Sequence, residues 1–225
     1  MQRILEPELM DDPVQAAAYA SADFSDPHGL FINKFREVFP GSSITGHVLD
    51  LGCGPADISV RFAEAYPACH IYGVDGARAM LTEGQAAIKR RGLEQRIKLI
   101  YGVIPDLELP QIIYQIIMSN SLLHHLHDPL VLWKYIKKIS SCDTQIFIMD
   151  LIRPYTCHDA DKLVNTYCGT EAEILRRDFY NSLCAAFCPT EVEQQLGETG
   201  LQGLKIDVIT DRHMIIYGQI TNAQI

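Results

Sequence analysis

The feature that most constrains the fold is the run VLDLGCGPAD at residues 48–57. A short apolar stretch there enters a turn with two glycines, and apolar residues at helical spacing follow over residues 58–66. Glycines in such a turn let backbone N–H groups approach a ligand without obstruction by side chains. The pattern therefore predicts a strand, a ligand-binding turn and a helix in direct succession.

The chemistry of this turn depends on Asp50, which stands two residues before the first glycine. The turn reads D-x-G-x-G, whereas dinucleotide-binding turns read G-x-G-x-x-G. A carboxylate in this position repels a pyrophosphate and attracts a cationic group, such as a sulfonium or an amine. The glycine spacing therefore argues against a nicotinamide oxidoreductase. Asp75 ends the next predicted strand, where a carboxylate can accept hydrogen bonds from both hydroxyls of a ribose.

The rest of the chain alternates between strand and helix patterns. Runs that are apolar on both strand faces fall at residues 48–51, 70–74, 97–101, 114–119 and 145–150. Two more strand patterns, at residues 205–210 and 214–220, flank a short polar turn and predict an antiparallel hairpin. We expect an α/β fold with a Rossmann-like, seven-stranded, mostly parallel sheet, an antiparallel C-terminal hairpin and helices on both faces.

We expect residues 1–225 to form a single domain in which residues 1–40 are a helical cap. Within the cap, helices are predicted at residues 14–20 and 30–39, and the sequence SDPHG at 25–29 predicts a break between them. The cap is expected to lie across the mouth of the ligand site. Its aromatic residues Tyr19 and Phe24 either close the site or only pack the first helix against the sheet.

A second segment, residues 155–188, is expected to form a helical lid inserted after the fifth strand. The carboxyl ends of the strands form the ligand-binding rim of an open α/β sheet, so this insertion begins beside the rim. A further helix is expected after the lid, with Thr190 as its N-cap and Glu193 completing a capping box.

Composition excludes several classes of protein. The 225 residues carry a net charge of −9, so we expect no broad phosphate-binding surface and no nucleic-acid partner. No apolar run approaches the ~20 residues of a membrane span, and the N-terminus lacks the apolar core of a signal peptide. Seven cysteines without a CxxC pair indicate a reduced protein. We therefore expect a cytoplasmic protein without a membrane partner, either monomeric or homodimeric.

Four motifs carry a resemblance to a known family: VLDLGCGPADIS at 48–59, IYGVDGARAML at 71–81, IIMSNSLLHHLHDP at 116–129 and IFIMDLIRP at 146–154. In this combination the chain resembles the class I S-adenosylmethionine-dependent methyltransferases. The resemblance implies S-adenosylmethionine as the cofactor, S-adenosylhomocysteine as its product and no metal. The cofactor-binding residues that it implies are Asp50, Gly52, Cys53 and Gly54 at the methionine part, Asp75 at the ribose, Gly76 and Ala77 beside the adenine, and Asn120 at the reacting centre.

Two positions depart from the pattern of that family. Val103 stands where many relatives carry an aspartate that accepts the adenine amino group, and Gln115 stands where strand four commonly opens with an aspartate. The adenine edge is then expected to be held by backbone or water, or by Asp106 after a shift of register.

The acceptor side of the site is predicted from the residues that follow strands four and five. His124 is the candidate general base and Asp150 is a candidate for orienting the acceptor, so both are assigned catalytic roles. An alternative for Asp150 is an ion pair with Arg153. Arg153, Tyr155, Arg177 and Asn181 are the candidate substrate-binding residues, and Arg177 suits a carboxylate or phosphate on the acceptor.

The sequence thus predicts an S-adenosylmethionine-dependent enzyme that methylates oxygen or nitrogen of a small molecule. Two alternatives stay open at this point. One is a methyltransferase that acts on RNA or protein, and the other is a non-catalytic protein that binds S-adenosylmethionine.

Overall fold

The computed structural model describes residues 1–110 and 112–221, and these residues form a seven-stranded sheet with helices on both faces. The strands are β1 (His47–Leu51), β2 (His70–Asp75), β3 (Ile97–Tyr101), β4 (Tyr114–Asn120), β5 (Gln145–Leu151), β6 (Lys205–Val208) and β7 (His213–Gln219). Their spatial order is β3-β2-β1-β4-β5-β7-β6. The first five strands are parallel, and β7 is antiparallel to both β5 and β6. The predicted fold class is therefore confirmed.

Eight α-helices accompany the strands within the described residues. They are α1 (Pro13–Ser21), α2 (Ser25–Val38), α3 (Asp57–Ala65), α4 (Arg78–Arg90), α5 (Leu130–Ile139), α6 (Cys157–Tyr167), α7 (Glu173–Ala185) and α8 (Pro189–Thr199). A short 3₁₀ turn, Leu123–His125, follows β4. None of these helices is long and apolar enough to cross a membrane.

Two apolar layers hold the helices against the sheet. One layer surrounds the fully buried Trp133 of α5, whose indole N–H donates to Gln195 in α8 at 2.8 Å. The other layer packs Phe31 and Phe35 of α2 edge-to-face against Phe147 in β5, with ring centroids 4.8 and 5.5 Å apart. Both faces of the central strands are therefore buried, as their continuous apolar sequences predict.

Two predicted helix boundaries are wrong. Helix α2 begins at Ser25, so the expected break at residues 25–29 does not occur. Pro27 falls in the first helical turn, where its missing N–H costs no hydrogen bond. Helix α8 has Cys188 as its N-cap, and Glu191 rather than Glu193 completes the capping box. The reason is that Pro189 takes the first helical position, so the helix starts before Thr190.

Candidate functional site: a cofactor-and-acceptor cavity at the carboxyl ends of the strands

A cavity of about 700 Å³ opens at the carboxyl ends of β1, β2 and β4. This volume lies in the range of sites that bury small ligands. Its floor is the glycine-rich turn after β1. Its walls come from two segments outside the sheet, namely the N-terminal residues 6–28 and residues 167–182 around α7. Gln15 of α1 donates to Asp178 of α7 at 2.7 Å, so these two walls are joined to each other.

The glycine-rich turn has left-handed backbone at both glycines. Gly52 has φ +70° and Gly54 has φ +51°. A side-chain carbon on Gly52 would meet Leu122 at 2.9 Å, whereas one on Gly54 would meet no atom within 4 Å. Gly54 therefore leaves space in the cavity, and Gly52 permits the close packing of the turn against the loop after β4.

Asp75 fixes the shape of this turn from the end of β2. Its carboxylate accepts hydrogen bonds from the backbone N–H of Gly54 and of Ala77, each at 2.8 Å. Burial raises the pKa of Asp75, and these backbone hydrogen bonds oppose the rise. Each carboxylate oxygen keeps a second lone pair, so Asp75 can still accept hydrogen bonds from a ligand in the cavity.

Asp50 and Asn120 bring further acceptor groups to the cavity floor. Asp50 accepts a hydrogen bond from the Ser59 hydroxyl at 2.6 Å, and its burial raises its pKa to about 7. Asn120 Oδ1 is buried and has no hydrogen-bond partner among the described residues. A buried acceptor without a donor costs free energy, which a ligand that carries a donor or a positive charge removes.

This set of groups fits S-adenosylmethionine. The cofactor carries a sulfonium, an amine and two ribose hydroxyls, which match the carboxyl groups of Asp50 and Asp75 and the free oxygen of Asn120. The open space beside Gly54 leaves room for a ligand.

The other residues predicted at the cofactor differ in position. Cys53 lines the cavity, and burial raises the pKa of its thiol far above the usual value. Gly76 and Ala77 are not among the lining residues in the described part of the chain. Gly76 packs instead against Leu9 and Val103, because a side-chain carbon there would meet their methyl groups at 2.7 and 2.8 Å.

Gln115 and Asp106, the residues discussed for the two departures from the family pattern, both lie outside the cavity lining in the described part of the chain. The Gln115 side chain accepts from the backbone N–H of Thr45 and Gly46 and donates to the carbonyl of Ser43, so it holds the chain that leads into β1. Asp106 is exposed and does not line the cavity among the described residues.

A buried histidine–aspartate pair lies at the wall of the cavity. His124 Nδ1 is 2.5 Å from Asp150 Oδ1, and both side chains are almost fully buried. Asp150 also accepts the backbone N–H of Leu123 at 2.8 Å and of Leu151 at 2.7 Å, which fixes its orientation. His124 lines the cavity and Asp150 lies behind it. With Nδ1–H donated to Asp150, the Nε2 atom of His124 is the nitrogen that faces away from Asp150, toward Glu6 Oε1 at 3.6 Å.

Two further residues lie beside this pair, Glu6 and His125. The motif that contains both histidines is visible in the sequence, whereas Glu6 is a residue that sequence reasoning missed. Glu6 Oε1 lies 3.3 Å from His125 Nδ1 and 3.6 Å from His124 Nε2. Arg3 anchors the segment that carries Glu6, because its guanidinium donates to the carbonyls of His124 and Leu126, each at 2.9 Å. Nothing in the local sequence of an N-terminal glutamate indicates such a contact; only the pair HH within SLLHHLHDP gives a signal.

The four predicted substrate-binding residues are not gathered at one place. Asn181 and Arg177 line the cavity, although the Arg177 side chain is 65% exposed and lies 3.5 Å from Asp178. Arg153 does not line the cavity, because it pairs with Glu191 at 2.7 Å and donates to the Ala186 carbonyl. Tyr155 is 91% exposed and is likewise absent from the lining within the described residues.

The cap aromatics Tyr19 and Phe24 both line the cavity, with ring centroids 4.6 Å apart. Burial raises the pKa of Tyr19 to about 12, so its phenol stays neutral. These rings take part in closing the cavity as well as in packing the cap.

Comparison with known proteins agrees with this geometry. The family model described as a methyltransferase domain matches residues 48–142. A demethylmenaquinone methyltransferase of Anoxybacillus flavithermus is 27% identical over 107 residues, which cover 47% of this chain and 45% of the relative. The matched part spans less than half the length of the first curated relatives.

Solved structures match over most of the chain. An S-adenosylmethionine-dependent methyltransferase from Aquifex aeolicus superposes with a TM-score of 0.63 at 15% identity and covers 92% of this chain and 97% of that one. The plantazolicin methyltransferase, in complex with S-adenosylhomocysteine and a monoazolic desmethyl-plantazolicin analogue, gives a TM-score of 0.64 at 14% identity over 92% and 86%.

The fold is the Rossmann-like fold of solved S-adenosylmethionine-dependent methyltransferases. Together with the methyltransferase-domain match over residues 48–142, it supports the class I methyltransferase that the sequence motifs predict.

Proposed function

We propose that this protein transfers a methyl group from S-adenosylmethionine to a small molecule. The observation that carries the proposal is one cavity that has Asp50 and Asp75 at its floor and His124, which is paired with Asp150, at its wall. A ligand on the floor and a second molecule beside His124 would therefore share one space. Such proximity supplies much of the rate in a reaction whose donor is already activated.

On the cofactor side, each residue has a defined task. Asp75 shapes the turn and accepts hydrogen bonds from ribose hydroxyls. Asp50 and Asn120 attract the positively charged methionine end, and Gly54 leaves room for it. When bound, the sulfonium of S-adenosylmethionine supplies a methyl group attached to an electron-poor sulfur.

On the acceptor side, the segments that cover the cavity favour a small molecule as the acceptor. The cap and the segment around α7 cover the cavity together, joined by the Gln15–Asp178 hydrogen bond. A net charge of −9 disfavours RNA. A solved structure of similar fold supports an acceptor bound beside the cofactor, since the plantazolicin methyltransferase is in complex with both a monoazolic desmethyl-plantazolicin analogue and S-adenosylhomocysteine.

His124 and Asp150 are proposed to activate the acceptor, while Asn181 and Arg177 contact it. Asp150 holds the imidazole in one tautomer, so that the Nε2 lone pair is presented to the cavity. Arg153 and Tyr155 have no part in this proposal because neither lines the cavity. The free cysteines suit a reducing compartment such as the cytoplasm.

The test separates binding from turnover. Calorimetric titration of S-adenosylmethionine and S-adenosylhomocysteine measures cofactor binding, and mass spectrometry of a pool of small molecules incubated with methyl-labelled cofactor measures turnover. We expect one-site binding in the wild type and in His124→Ala, and loss of labelled product in His124→Ala alone. Equal labelling of product by both proteins would reject the role of His124. Labelling of RNA or protein but of no small molecule would reject the acceptor class.

A further inference from the structure

We propose that Glu6, His124 and His125 form a binding site for a divalent cation of the zinc type, and that this cation activates an acceptor hydroxyl. The binding site stands on its own geometry, whereas its role in activation rests on the proposed methyl transfer. With the cation bound, His124 acts as its ligand through Nε2, and the cation takes the place of the imidazole as the group that activates the acceptor. The three residues come from two distant parts of the chain and meet at the wall of the cavity.

The distances between the donor atoms match a metal site. Glu6 Oε1 lies 3.3 Å from His125 Nδ1 and 3.6 Å from His124 Nε2. One ligand atom from each of the three residues lies within 4.8 Å of the other two. Zinc bonds to nitrogen and oxygen at about 2.0–2.1 Å, so neighbouring ligand atoms of a tetrahedral site are about 3.3–3.4 Å apart. The two contacts of Glu6 are thus close to the edge length of a zinc tetrahedron.

Two of these three atoms lack a hydrogen-bond partner in the described part of the chain. Glu6 Oε1 and His125 Nδ1 are buried and have no hydrogen-bond partner among the described residues, although they face each other. The Glu6 side chain is 91% buried, since its exposed fraction is 9%. Buried polar atoms without partners are rare in native proteins and call for an unseen ligand. A cation bound by both atoms satisfies them together.

A second layer of hydrogen bonds orients the proposed ligands. His124 Nδ1 is 2.5 Å from Asp150, which leaves Nε2 as the ligand atom. Ligating histidines commonly give their other N–H to a carboxylate in this way. On the opposite side, the Ser182 hydroxyl donates to Glu6 Oε2 at 3.3 Å and leaves Oε1 directed at the two imidazoles.

The charges around the site also favour a cation. The Glu6 and Asp150 carboxylates together match the charge of a dication. Arg3 is the opposing cation, but its guanidinium is engaged by the carbonyls of His124, Leu126 and Ala185.

Three protein ligands leave the fourth position of a tetrahedral ion open, as in catalytic zinc sites. An acceptor hydroxyl at that position becomes more acidic because the cation stabilises the oxygen anion. Its proton leaves to solvent water, and an oxygen lone pair forms the new C–O bond while the S–C bond breaks and its electrons remain on sulfur. The acceptor class is therefore an alcohol, phenol or enol. The sequence-based expectation of no metal is replaced by this proposal.

The experiment uses the full chain after treatment with a chelator. Zn²⁺ is titrated by calorimetry, and Co²⁺ is titrated by visible absorption, which reports the geometry of its ligands. We expect one equivalent to bind to the wild type and to the His158→Ala variant, whose histidine is exposed on α6. Glu6→Gln and His125→Ala should each bind at least tenfold more weakly, and Asp150→Asn about 10–100-fold more weakly.

Two results would overturn the metal site: no saturable binding by the wild type, or equal affinities in Glu6→Gln, His125→Ala and His158→Ala. Glu6→Gln preserves the shape of the side chain, and thermal melts confirm that each variant is folded. Titration of S-adenosylhomocysteine into the metal-free protein distinguishes the two proposals. Cofactor binding without metal binding rejects only the metal site. Metal binding without cofactor binding rejects the methyl transfer and the role of the cation in it, and leaves the binding site itself supported.

Discussion

The two glycines of the turn after β1 give opposite predictions when each is changed to alanine. Both have left-handed backbone, with φ +70° at Gly52 and +51° at Gly54. A non-glycine residue in this region costs about 1–2 kcal/mol of stability. The neighbouring Ala56, at φ +62°, shows that this chain accepts such a conformation. The backbone cost alone should therefore be similar in Gly52→Ala and Gly54→Ala.

The two variants are expected to differ in stability because the added methyl group has different neighbours in each. At Gly52 it would lie 2.9 Å from Cβ of Leu122, an atom that moves only with the backbone of its loop. Overpacking adds about 1–3 kcal/mol, which gives a total of about 2–5 kcal/mol for Gly52→Ala. At Gly54 no atom lies within 4 Å, so the cost stays at about 1–2 kcal/mol. That methyl group instead takes space from the cofactor.

Chemical denaturation and calorimetry with S-adenosylhomocysteine measure the two effects. We expect Gly52→Ala to have the larger loss in free energy of unfolding. Gly54→Ala should remain folded and bind the ligand at least tenfold more weakly, and Gly54→Val more weakly still. If folded Gly54→Val bound as tightly as the wild type, the cofactor could not lie against this turn. If Gly54→Ala were the less stable variant, the packing argument would be refuted.

The other predictions concern four charged residues. Asp75→Ala should weaken cofactor binding by about 1.5–3 kcal/mol, as calorimetry would show, and unchanged affinity in a folded variant would remove Asp75 from the site. Burial raises the pKa of Asp50 to about 7, so this carboxyl group must lose its proton to pair with a cationic cofactor. Cofactor affinity should therefore rise about tenfold from pH 6 to pH 8. The same dependence of affinity on pH in Asp50→Asn would contradict this. Arg153→Met should lower the free energy of unfolding by about 1.5–3 kcal/mol because it breaks the pair with Glu191, and weaker cofactor binding by the folded variant would instead give Arg153 a role in the site. Arg177→Ala should keep its cofactor affinity, and its free energy of unfolding should stay within about 0.5 kcal/mol of the wild type. Its turnover should fall, and unchanged turnover would exclude Arg177 from the acceptor site.

The sequence predicts the sheet well because its strands are short apolar runs separated by helices. Local hydrophobic pattern decides such elements. The first turn of α2 shows the limit of this reasoning, because SDPHG contains residues typical of turns. Those same residues are acceptable at a helix N-terminus, and the packing of Phe31 and Phe35 decides the outcome.

The cofactor half of the site is local in sequence, and the acceptor half is not. The glycine-rich turn and Asp75 lie at the ends of neighbouring strands, so strand prediction alone brings them together. Glu6 reaches His124 and His125 only because Arg3 fastens the N-terminal segment across the loop after β4. A contact between such distant segments depends on tertiary packing, which no local pattern encodes. The same reason explains Tyr155, whose place after β5 suggests the rim although its side chain points to solvent.

The most direct test of the central claim is calorimetric titration of S-adenosylmethionine into the purified wild-type protein, with Gly54→Val as the matched control. We predict saturable binding at one site per chain in the wild type, and none in the folded control at the same concentrations. Because a bound ligand stabilises the folded state, a concentration of 100 times Kd should also add about 2.7 kcal/mol to the free energy of unfolding. Absence of binding by the wild type, or equal binding by Gly54→Val, would contradict the assignment of this cavity to the cofactor.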